Sequence, residues 1–75
     1  MNYLTAILEW LAFGSAMLCV FLYGYSKARG AMVGLVTAAL FITWGLTAEV
    51  YAAAVTNVFF LCLHGNNLRR AYNDD

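Results

Sequence analysis

From Leu4 to Tyr25 the chain carries a single charge, Glu9. At about 1.5 Å per residue, a helix over that run crosses a hydrocarbon layer roughly 30 Å thick. With only 75 residues the chain buries too little surface to build a generous soluble core. A soluble three-helix bundle also needs a polar face on each helix, and the charges required are missing. The chain is 64% hydrophobic and 11% charged, with a mean hydropathy of +0.73, whereas soluble domains carry roughly 25% charged residues. The first apolar run lacks a basic start and is too long for the core of a cleaved leader, so it is expected to stay.

Two breaks divide the remainder. Ser26, Lys27, Ala28, Arg29 and Gly30 form a charged, glycine-ended interruption, and Thr47, Ala48 and Glu49 form a second. Between and after them run Ala31 to Leu46 and Val50 to Leu63, both apolar but shorter than the usual minimum of about 17 residues. Flanking polar residues or local bilayer thinning extend such short spans. The expectation is one all-α membrane domain over 1–75. Its three transmembrane helices cover about 4–25, 31–47 and 50–65, and a polar tail covers 66–75.

The basic residues, Lys27, Arg29, Arg69 and Arg70, fall in the first break and in the tail. With three crossings these places share one side of the membrane, and the positive-inside rule makes that side the cytoplasm. The N-terminus and Glu49 then face outward, as in a bacterial-type inner membrane. A formal net charge of zero and so few cations leave no surface for nucleic acid. Cys19 and Cys62 lie in apolar runs, and the lone His64 has no second ligand at metal-site spacing. No nucleophilic triad can be assembled. The expectation is a protein without metal, cofactor or enzymatic activity.

On helix three, Glu49, Ala53, Asn57, Phe60 and His64 share one helical face. Asn57, near its centre, needs a partner in hydrocarbon: either another helix, through a structural hydrogen bond, or a cavity with a ligand. On helix two, Thr37, Phe41, Trp44 and Thr47 form a comparable stripe. Trp44 is either an interfacial anchor, like Trp10, Tyr3 and Tyr51, or a stacking surface for a planar ligand. Gly30, Gly34 and Ala38 recur at four-residue spacing and favour close helix packing, within the chain or with a second copy. Glu9 is either hydrated near the outer interface or a bundle-facing site for a proton or cation.

The run LEWLAFGSAMLCVFLYGYSKARGAMVGLVTAALF followed by VYAAAVTNVFF resembles the first three-helix repeat of PnuC-type vitamin transporters, from Leu8 to about Leu63. Those proteins take up nicotinamide riboside or its mononucleotide with two such repeats; SemiSWEET sugar transporters use one repeat per chain and pair. The resemblance implies a ligand role for Asn57, and for Trp44 less directly. The chain has no proline, so the Pro-Gln hinge of the sugar transporters is missing, and the glycines at 14, 24 and 45 are softer bends in its place. The expected function is a half-transporter. Two copies enclose a midplane cavity lined by Asn57, Trp44, Thr37 and Tyr23 and move a small polar solute, a vitamin or nucleoside such as nicotinamide riboside, or a sugar. The alternatives are an accessory subunit of a larger membrane complex, docked through Gly30, Gly34 and Ala38, or a holin-like protein that permeabilises a membrane.

Overall fold

A computed structural model describes residues 3–73. They form three helices: α1 (Tyr3–Tyr23), α2 (Lys27–Thr47) and α3 (Tyr51–Asn73). The all-α, three-helix architecture agrees with the reading of the sequence, and α1 and α2 are each long and apolar enough to cross a membrane. In α3 the apolar part ends at Leu63, and the helix continues through a polar stretch to Asn73.

The helix boundaries agree with the sequence reading to within one residue at the second break and differ from it at the first break and at the tail. Ser26 alone caps α2: its backbone is extended, and its hydroxyl accepts from the Arg29 N–H at 3.4 Å. Lys27, Ala28, Arg29 and Gly30 are therefore the first turn of α2 and not a loop, since a capped N-terminus satisfies donors that would otherwise need water. The preceding turn is closed by Tyr25 N–H and Ser26 N–H, both donating to the Leu22 carbonyl, at 2.9 and 2.8 Å. At the other end of α2, Glu49 takes a left-handed backbone with φ of 61°, and Val50 N–H donates to the Gly45 carbonyl at 2.7 Å. This is the long hydrogen bond of a Schellman cap. The expected tail over 66–75 is helical as far as Asn73: Gly65, Asn66 and Asn67 are weak helix formers, but no proline follows to remove a backbone donor and stop the helix.

The three helices lie side by side in one layer. The Cα envelope measures 46 × 20 × 13 Å, and its smallest dimension is about one helix diameter. α2 is the middle member, packed against both neighbours, while the backbones of α1 and α3 do not approach each other.

Small residues make the contacts. The buried apolar positions are Ala12, Cys19, Ala31, Ala38 and Ala54, joined by Gly30, Gly34 and Gly45 of α2. A Cβ on Gly45 would meet Ala54 N and Val50 O at 2.9 Å, so only a glycine lets α3 start where it does. Large apolar side chains point outward instead: Trp10, Met17, Val20 and Phe59 are each more than 70% exposed. Burying alanine and glycine while exposing leucine-sized groups reverses the arrangement of a soluble core.

Candidate functional site

Since the backbones of α1 and α3 flank α2 without approaching each other, one face of the layer carries a groove with α2 as its floor. Its volume is about 320 Å³. α1 contributes Cys19 and Tyr23, α2 contributes Thr37, Ala38 and Phe41, and α3 contributes Asn57, Phe60 and His64. The helical stripes expected on α2 and α3 thus supply the floor and one wall.

Tyr23 and His64 close the groove at the end where α1 stops. The Tyr23 hydroxyl lies 2.6 Å from His64 Nδ1, and Asn67 Nδ2 donates to the same phenol oxygen at 3.5 Å. If each group is used once, the phenol accepts from Asn67 and donates to Nδ1, which leaves the imidazole proton on Nε2. Two glycines make room for this pair. A Cβ on Gly30 would meet the Tyr23 ring at 2.5 Å, and one on Gly34 would meet His64 Nδ1 at 2.5 Å. The repeat of Gly30, Gly34 and Ala38 is therefore occupied within the chain, with both glycines seating rings and Ala38 fully covered.

Phe60, His64 and Tyr23 form a ladder of rings along the groove. Centroids lie 6.3 Å apart for Phe60 and His64 and 5.7 Å apart for His64 and Tyr23, each with an interplanar angle of 28°. Such tilted stacking holds the three rings in a row, with the polar imidazole of His64 between two apolar rings.

The other polar groups are mostly satisfied locally. Thr37 donates to the Val33 carbonyl at 2.9 Å, so the 2.5 Å contact with Ser15 uses the serine proton and the threonine lone pair. The Cys19 thiol donates to the Gly30 carbonyl at 3.3 Å. Asn57 Nδ2 donates to the Ala53 carbonyl at 2.8 Å. Among the described residues, Asn57 Oδ1 accepts no hydrogen bond. Bonding back to its own helix uses one N–H of the amide and leaves the other N–H and the Oδ1 acceptor at the groove wall.

Three of the four residues expected around a cavity, Asn57, Thr37 and Tyr23, come together here. Trp44 does not line the groove. It packs edge-on against Phe13 and Phe41, both at 6.2 Å, while those two rings meet at 5.0 Å. The Trp44 indole Nε1 is buried without a hydrogen-bond partner among the described residues. Lys27 and Arg29 at the start of α2 share an end of the molecule with Arg69 and Arg70 near the end of α3, and Arg69 donates to Asn66 at 3.2 Å.

His64, Phe60 and Ser15 acquire contacts here that their spacing did not assign. For His64 the signal was available: a histidine on the third helix and glycines on the second leave ring-sized gaps at one level. Comparison of the chain with protein-family models, curated proteins and solved structures finds no match.

Proposed function

We propose that this chain is a membrane-embedded half-transporter, in which two copies face one another across their grooves and together enclose a path for a small solute. The observation that carries this reading is the open groove on a layer one helix thick. One chain presents a floor and two walls, and a roof must come from another. The outward large apolar side chains suit lipid and partner helices better than water. The resemblance to PnuC-type repeats, which work in pairs within one chain, points the same way.

On this reading all three helices cross the bilayer. α3 does so with its short apolar half, with Arg69 and Arg70 reaching the cytoplasmic headgroups alongside Lys27 and Arg29. Glu49 and the start of α1 face outward. Asn57 and Thr37 then meet the solute near the midplane, and the Tyr23 and His64 pair closes the cytoplasmic end. Docking to a larger complex through Gly30, Gly34 and Ala38 has less support, because side chains of the same chain already cover that stripe.

The test is disulfide trapping in native-like membranes. In a background with Cys19→Ala and Cys62→Ala, a cysteine at the groove rim, Val20→Cys, is expected to cross-link two copies. A chain that stays monomeric at all densities, or a dimer with no central cavity, would sink the proposal.

A further inference from the structure

His64 is the one basic side chain in the lining of the groove, which contains no Asp, Glu, Lys or Arg. The other titratable groups there come from α1: the Cys19 thiol, which donates to the Gly30 carbonyl, and the Tyr23 phenol. α2 lends Thr37, Ala38 and Phe41, none of which titrates. The charges of the packed elements lie outside the lining. Lys27 and Arg29 open α2, Arg69 and Arg70 stand near the end of α3, and Glu9 and Glu49 lie toward the other end of the layer. Asp74 and Asp75 are outside the described residues.

The hydrogen bonds at His64 work in either direction. In the neutral form Asn67 Nδ2 donates to the phenol, the phenol donates to Nδ1 at 2.6 Å, and the imidazole proton sits on Nε2. A proton added at Nδ1 reverses the chain: Nδ1–H donates to the phenol oxygen, and the phenol donates to Asn67 Oδ1 once that amide turns about its last bond. No bond is lost. In both forms Nε2–H has no partner among the described residues.

The imidazolium lacks only a counter-charge, and an unpaired charge against an apolar wall is costly. With no carboxylate in the lining, that counter-charge has to come from outside the chain. The free N–H and Oδ1 of Asn57 lie about two turns away on the same wall and carry no charge to replace it. Val20, Phe41, Phe60 and Leu63 are apolar, so the rest of the visitor is apolar too.

We infer that the groove takes a monocarboxylate together with one proton: the proton on His64 Nδ1, the carboxylate accepting from Nε2–H, and the apolar body along Phe60 and Phe41. This rests on the groove being a solute site, as proposed above. It adds an electroneutral stoichiometry, with the proton drawn from bulk water on entry and returned on release. Tyr23 and Asn67 are positioning residues that hold the protonated ring.

Butyrate, butyramide and butylammonium share a chain length and differ in charge. With the full chain in lipid nanodiscs, thermal unfolding at millimolar probe reads binding as a rise in Tm. Butyrate stays ionised between about pH 6 and about pH 8. Its apparent affinity is expected to fall roughly tenfold per pH unit wherever unliganded His64 is neutral. Butyramide and butylammonium should each bind at least about tenfold more weakly than butyrate at about pH 6. His64→Gln keeps an N–H but takes no proton, and should remove the butyrate response. Tyr23→Phe keeps the imidazole and the row of rings, and should weaken butyrate several-fold while leaving the pH slope. A butyrate response that ignores pH, or that butyramide or butylammonium equals, overturns the inference. So does a response that keeps its pH slope in His64→Gln, since the undissociated acid then binds without the imidazole. Unchanged butyrate affinity in Tyr23→Phe overturns the positioning role. Silence from butyrate overturns the inference, and the cross-linking test decides separately whether the paired assembly survives.

Discussion

Glu49 is the one non-glycine residue with a left-handed backbone among those described. L-residues there crowd Cβ against the following carbonyl at a cost of roughly 1–2 kcal/mol, and the position after a helix C-cap is where glycine is most favoured. Glu49→Gly is therefore expected to stabilise the fold by about 1 kcal/mol, offset in part by glycine's greater freedom when unfolded. Thermal unfolding in detergent checks it, and a lower Tm would mean that the carboxylate makes a contact worth more than the strain. Asn57 raises the opposite issue. Its spacing marked it as a residue in need of a partner, and the structure shows one N–H of the amide bonded to Ala53, with the other N–H and the oxygen open. Spacing identifies the face on which a residue lies, while local hydrogen bonding decides which of its atoms stay available.

The helices differ in how tightly they are held, and the glycines show where. Gly45 sits against the backbone of α3, so Gly45→Ala has no flexible side chain to displace and should cost about 1–3 kcal/mol by forcing α2 and α3 apart. Gly14 on α1 has nothing within 4 Å of an added Cβ. Gly14→Ala should instead be neutral or stabilising by up to about 1 kcal/mol, the gain expected from helix propensity alone. Comparing the two variants by chemical unfolding separates packing from propensity, and equal effects would contradict the close α2 to α3 crossing. The charged stretch after α1 shows why element ends were harder to read than elements. Lys27 to Gly30 resembles a loop in composition, but Ser26 caps it and the turn shrinks to three residues.

At the scale of the molecule, the single layer explains why the groove is open and why large apolar side chains face outward. If the proposed orientation holds, Glu49→Cys in a chain lacking its native cysteines should react with a membrane-impermeant maleimide added to intact cells, whereas Arg69→Cys should react only after permeabilisation. Labelling of both positions from outside, or of Arg69→Cys alone, would reverse or refute the orientation. The proposed pairing of two grooves belongs to this scale too, since no property of one helix demands it.

The sequence by itself determined the apolar character of the chain, the number of helices and the faces on which Asn57, Thr37 and Phe41 lie. These follow from local quantities: apolar run length, breaks in composition and a period of 3.6 residues. Only the tertiary structure decided that α2 stands in the middle, that Trp44 packs on Phe13 rather than lining the groove, and that Gly30 and Gly34 seat Tyr23 and His64. Those outcomes depend on how closely two helices approach. That distance is set jointly by side chains far apart in sequence, so no single stretch of the chain encodes it.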